Sequence, residues 1–231
     1  MLKFSLFFKK IIVLTKKPAI IRWIMRLVLL SLIILAVYLS HLNNVVKNEF
    51  SKDINTDALA FNQQPKVVIN MLLIVEDQSF FNHPGVDFKE IARVVRDYTL
   101  YDKPLRGAST ITQQLIKNTL LTRHRNITRK FKEALMSLLL EHSFDKEFIL
   151  NRYLNTVYLA QDGNKEIRGF ADAAEFYFNK QLNMLSLEEV ATLVALVKGP
   201  SFYHPIKHPQ RLDKRRQLVL SLYNKYEKIV K

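Results

Sequence analysis

Two acidic residues, Glu76 and Asp77, close the apolar run 67–75 and lead directly into Phe80, Phe81 and His83. A solvated surface acid needs no such company. A carboxylate that must take a proton near neutral pH gains from it, because apolar surroundings disfavour the charged form. A second carboxylate, Glu133, follows 57 residues later in the stretch RKFKEALMSLLLEH. Two carboxylates brought from separate segments could flank a glycosidic centre as acid, base or electrostatic partner. Periodicity alone favours a plainer reading of Glu133. On a helix it falls outside the apolar stripe and shares a polar face with Arg129, Lys130 and Ser137, as an exposed i,i+4 ion pair with Arg129 worth roughly 0.3 kcal/mol.

Between the two acids lies a dense basic set: Arg106, Lys117, Arg123, Arg125, Arg129 and Lys130. Such a run is usually a solvated face. Here it alternates with STITQQ and with apolar helix positions, so it could equally converge on a phosphate. Other chemistry is poorly supported. His204 and His208 have metal-like i,i+4 spacing, but Pro205 follows the first and breaks the helix a ligand pair would need. There is no GxSxG and no GxxxxGK[ST]. Ser109 reads as a helix cap rather than a nucleophile. With no cysteine, neither disulfides nor thiolate metal sites can form.

The elements that must position these residues are helices. Asp87 with Glu90 marks a helix start running to about Tyr101. Ser109 is expected to cap TITQQLIKNTLL and Thr128 to cap RKFKEALMSLLLEH, whose apolar positions repeat at helical spacing. Ser143 precedes the next helical stretch, DKEFILNRYLNTVYL. Ser186 and Glu189 form a capping box for LEEVATLVALVK, stopped by Gly199-Pro200. A basic helix is expected from about Pro209 to the end; the basic tail 207–231 could be a solvated helix or an interface, with the solvated reading preferred. No period-2 run is long enough to predict a strand. The fold class is mainly α.

The net charge of +14 is unevenly spread. Residues 1–42 carry seven Lys or Arg and no acid, whereas the rest carries 28 basic and 21 acidic residues. The stretch 23–42, WIMRLVLLSLIILAVYLSHL, is 20 residues long with the single charge Arg26 near its start, which is the length a bilayer requires. It offers no convincing small-x-small cleavage site. The basic flank lies upstream, so the N-terminus is expected in the cytoplasm and the remainder outside. The expected organisation is a basic tail 1–22, a transmembrane anchor 23–42, a polar linker 43–65 and one domain 66–231. Nucleic acid, the generic partner of a basic protein, fits such an ectodomain poorly; a lipid-linked pyrophosphate fits better.

Four motifs carry a resemblance. They are Glu76-Asp77-x-x-Phe80-x-x-His83-x-Gly85, then Gly107-Ala-Ser-Thr-Ile-Thr-Gln-Gln114, then Arg129-Lys130-x-x-Glu133, and finally Ile149-Leu-x-x-Tyr-Leu-Asn155. In this order, across residues 66–220, they resemble the family 51 glycosyltransferases, the peptidoglycan polymerases found alone or as the N-terminal half of class A penicillin-binding proteins. The resemblance implies a lysozyme-like, mostly helical domain that polymerises lipid II. Glu76 would be the general base for the acceptor's 4-hydroxyl and Glu133 would assist at the donor. Lys117, Arg125, Arg129 and Lys130 would hold the pyrophosphate. Ser109, Thr110, Gln113 and Gln114 would line the cleft, and Lys198 would help from a later motif. The segment 88–106 would dip into the membrane. No cofactor is implied beyond an optional divalent cation, Mg or Mn. The partners implied are lipid II, the lipid-linked glycan chain, the membrane and a candidate separate transpeptidase, with no transpeptidase domain expected after residue 231.

The chain departs from the family pattern at Asn151, where Glu is usual, at Leu159-Ala160, and at Asn179. Two other readings stay open: a non-catalytic scaffold that binds lipid II, and a lysozyme-like hydrolase.

Overall fold

The computed structural model describes residues 19–53, 58–104, 107–122, 124 and 126–227. The chain divides into two compact units, with the boundary between Asn48 and Glu49. Most of the first is a single helix, α1 (Ala19–Phe50). Trp23, Leu27, Leu30 and Ile34 are each more than half exposed, so this is no core helix, and it is long and apolar enough to cross a membrane. At 1.5 Å per residue it measures about 48 Å, well beyond the roughly 30 Å of a bilayer's hydrocarbon core.

Two features of the structure fall within the expected linker 43–65. The helix continues to Phe50, and the second unit begins at Glu49. Phe50 is buried and its ring meets Phe144 at 6.4 Å. Arg152 donates to the carbonyl of Lys52 at 2.7 Å. Further on, Asn155 pins Leu59 through both backbone groups, accepting from its N–H at 3.1 Å and donating to its carbonyl at 3.0 Å. Asn151 accepts from Gln64 at 3.2 Å and from Asn155 at 3.1 Å. The position where the family usually carries Glu thus serves a neutral amide network that ties down the entry to the domain.

Within the second unit the helices are α2 (Lys66–Glu76), α3 (Phe88–Tyr101), α4 (Ile111–Leu120), α5 (Ile127–Ser143), α6 (Lys146–Thr156), α7 (Phe170–Phe178), α8 (Leu187–Val197) and α9 (Pro209–Tyr226). Side-chain caps start α3, α4, α5, α6 and α8. Asp87, Asp145 and Ser186 accept from the backbone N–H three residues on, the last within the expected capping box. Two caps differ from expectation. Thr110, not Ser109, caps α4, in a capping box with Gln113. Asn126, not Thr128, caps α5. In α4 the cap falls one residue later than expected and in α5 two residues earlier, which leaves Ser109 available for another contact.

A strand pair was not expected. Tyr158–Asp162 (β1) and Lys165–Arg168 (β2) nevertheless form an antiparallel hairpin, closed by Gly163 in the left-handed region at φ +54°. Its polar residues face outward while Leu159, Ala160 and Ile167 are buried. The hairpin is held by its turn and by packing on α7 and α8 rather than by a long alternating pattern.

The core is built on α8, whose Val190, Ala191, Leu193, Val194, Ala195 and Leu196 are all buried. Helix α9 packs on α8 and α2, and α2 packs on α8. The reading of α9 as a solvated helix is corrected by this packing. Leu212, Val219 and Tyr223 are buried on one face, and the positive charges of its other face mask that stripe in the composition. Helix α4 packs on α5 and α6. Gly85 lets these layers close: at φ +98° its backbone passes so near α5 that an added Cβ would lie 2.5 Å from the carbonyl oxygen of Ser137.

Candidate active site

Glu76 is the last residue of α2, and its side chain is only 5% exposed. It borders a cleft of about 280 Å³, lined also by Gln78, Ser79, Asp87, Arg93, Ser109 and Thr110. Two donors orient the carboxylate. Gln114 of α4 donates from Nε2 to Oε2 at 3.0 Å, and Arg215 of α9 reaches Oε1 at 3.4 Å. Behind Glu76, its neighbour Asp77 locks the end of α2 in place. Asp77 accepts the N–H of Ile111, the first residue of α4, at 2.9 Å, and lies 3.1 Å from Nε2 of His83 through both oxygens. A carboxylate at a helix N-terminus matches both the free N–H groups and the positive end of the dipole. The Gly85 N–H donates to His83 Nδ1 at 3.1 Å, so the ring's proton sits on Nε2, facing Asp77. Both acids border the cleft, but their contacts differ: Asp77 fastens the end of α2 to α4 and His83, whereas Glu76 is held by Gln114 and Arg215.

Glu133 is not the exposed ion pair that periodicity favours. It is 1% exposed, with Arg129 at 3.3 Å from one oxygen and Lys130 bonded to the other. Helical geometry does place it opposite the apolar stripe, but that polar face is turned into the domain against α4 rather than out to water. Lys130 also donates to Ser109 Oγ at 2.8 Å, so the serine released from capping links the Glu133 cluster to the cleft that holds Glu76.

Lys117 and Arg129 line a second cleft of about 610 Å³, with Asn118, Tyr158, Gln161 and Arg168. Desolvation lowers the pKa of Lys117 below the ordinary lysine value. Lys130 and Arg129 lower it further, while Glu133 and Glu76 oppose the shift. The ammonium therefore lies within the fields of both carboxylates. The Nε–H groups of Arg129 and Arg215 are buried and without a hydrogen-bond partner among the described residues, leaving donor capacity at both ends of the site.

The remaining residues implied by resemblance distribute as follows. Thr110 borders the Glu76 cleft and donates to the Gly85 carbonyl at 2.6 Å. Gln113 turns inward as the capping-box partner of Thr110 and is buried. Gln114 touches Glu76 directly. Lys198 is exposed at the C-cap of α8 and lines neither cleft. Arg125 lies outside the described residues, as do Arg106 and Arg123. No group of three His, Asp or Glu among the described residues could hold a metal ion. Sequence reasoning missed Arg215. The signal was present, because Arg215 falls on the face defined by Leu212, Val219 and Tyr223, three residues after the first and four before the second.

A profile of the transglycosylase family matches residues 43–224, nearly the whole of the second unit. The chain belongs to the transglycosylase family. It is 43% identical over 177 residues to penicillin-binding protein 1B of Haemophilus influenzae, covering 76% of this chain and 23% of that protein. To penicillin-binding protein 1B of Escherichia coli it is 42% identical over 158 residues, covering 68% and 19%. To penicillin-binding protein 1F of Bacillus subtilis it is 37% identical over 170 residues, covering 74% and 23%. The chain thus spans about a fifth of the length of these curated relatives. The transglycosylase domain is lysozyme-like and mainly α, as expected, and the apolar helix α1 fits membrane anchoring.

Proposed function

We propose that the protein polymerises lipid II into glycan strands. The observation that carries this reading is the chain of contacts from Glu133 through Lys130 to Ser109, which lines the same cleft as Glu76 and makes one site of two carboxylates on different helices. Glu76 acts as general base and takes the proton of the acceptor sugar's 4-hydroxyl. The hydroxyl oxygen attacks the anomeric carbon of the lipid-linked growing chain, the configuration inverts, and undecaprenyl pyrophosphate leaves.

Negative charge grows on the leaving pyrophosphate, and preset cations are the effective way to stabilise it. Lys117, Arg129 and Lys130 supply them. Glu133 holds Arg129 and Lys130 in place and keeps the cluster from repelling itself. Ser109, Thr110 and Gln114 border the acceptor side, with Arg125 as a further phosphate contact. No cofactor is required, and a divalent cation is an optional participant. The basic residues upstream of α1 keep the N-terminus in the cytoplasm, so the catalytic unit faces outward, where lipid II, the glycan chain and a separate transpeptidase would meet it.

The test is incubation of the detergent-solubilised protein, beside Glu76→Gln, with labelled lipid II, with products resolved on a gel. Polymer from the wild type alone supports both the activity and its base. Lipid II bound but not polymerised by either protein would replace this reading with a lipid II-binding scaffold.

A further inference from the structure

Tyr153 lies within α6, 1% exposed, and its hydroxyl donates to Gln114 Oε1 at 2.8 Å. Gln114 in turn donates from Nε2 to Glu76 Oε2 at 3.0 Å. A primary amide carries its carbonyl and its NH2 on opposite sides. Gln114 can offer its NH2 to a carboxylate only while its carbonyl finds a donor behind it. Tyr153 is that donor. Its hydroxyl stays protonated, since burial pushes its pKa well above the ordinary tyrosine value and the charges of Glu76 and Asp77 add to the effect. Turned over, the amide would set carbonyl oxygen against carboxylate oxygen.

We infer that Tyr153 is a positioning residue for Glu76, acting through Gln114 to fix the amide orientation that holds the carboxylate at the end of α2. This rests on the reading of Glu76 as the base. Helix α6 thereby reaches the reaction centre without lining the cleft.

Tyr153→Phe tests it, because phenylalanine keeps the ring and its packing and removes only the hydroxyl. The full chain would be assayed for lipid II polymerisation and for thermal unfolding. The expected result is a fall in kcat of about tenfold, the size of a small misplacement of one reacting group, with KM for lipid II and the melting temperature little changed. Gln114→Met should lower kcat to a similar level, and Tyr153→Phe added to it should produce no further fall, since the hydroxyl then has no amide to orient. An undiminished kcat in Tyr153→Phe, or a further tenfold fall in the Gln114→Met background, would overturn the inference. Glu76→Gln separates the two readings. If it polymerises, the base assignment fails; if it is inactive while Tyr153→Phe is fully active, only the positioning role fails.

Discussion

Arg215 in the last helix contacts the carboxylate of Glu76 at 3.4 Å, across 139 residues of sequence. Both side chains are largely shielded from water, at 16% and 5% exposure. The helix that closes the domain is therefore also part of the wall around the candidate base, because packing α9 on α2 and α8 brings an arginine to the end of α2.

Replacing that arginine by glutamine should lower polymerisation. The Glu76 carboxylate would keep Gln114 but lose the contact on Oε1, and a tenfold loss in kcat, about 1.4 kcal/mol in the barrier, is expected. Arg215→Lys should recover part of it by restoring the charge. Steady-state kinetics on labelled lipid II decide this; equal activity in both variants and the wild type would remove Arg215 from the site.

Glu133→Gln removes the counter-charge of two cations. Breaking a fully buried pair typically costs about 3 kcal/mol or more. Arg129 and Lys130 keep access to water, at 16% and 48% side-chain exposure, so a loss nearer about 2 kcal/mol is expected, roughly 6 °C in melting temperature for a domain of this size. Calorimetry measures it. A variant as stable as the wild type would mean that the two cations relax into solvent.

The lowered pKa of Lys117 gives a pH dependence of definite sign. Burial and its cationic neighbours favour the neutral amine in the folded protein. Below the folded pKa the charged amine costs stability, and that cost is relieved as pH rises from the folded pKa to the ordinary lysine value. Anion binding runs the other way, because it needs the charge. Affinity for inorganic pyrophosphate should fall with rising pH before the usual lysine range is reached. Lys117→Arg should abolish that fall, since guanidinium stays charged. Titration calorimetry across this range gives the answer; parallel profiles for the two proteins would place the phosphate contact elsewhere.

Gly85→Ala should destabilise the domain by about 3 kcal/mol, combining a left-handed backbone with a direct clash. The added carbon would meet Ser137 backbone atoms at 2.5 and 2.8 Å, which no side-chain rotation can relieve. Denaturant unfolding should register the loss, and a change below about 1 kcal/mol would mean that α5 shifts freely.

What the sequence determined by itself was local. Asp87 with Glu90 and Ser186 with Glu189 marked helix starts, because a cap is settled by residues three apart. The apolar span within α1 was legible from length and composition. The motif residues pointed to Glu76 and Glu133. The tertiary structure decided which faces met. Periodicity put Glu133 on a polar face, but only the packing of α5 against α4 buried that face and made a surface pair into a shielded cluster. The same applies to Arg215, whose charge reads as solvated until α9 docks, and to Tyr153, which reaches Glu76 only through a residue of another helix. Capping, turn chemistry and hydropathy act over a few residues and are written in the chain. Burial and field depend on contacts between segments about 40 to 140 residues apart, and those exist only once the helices have packed.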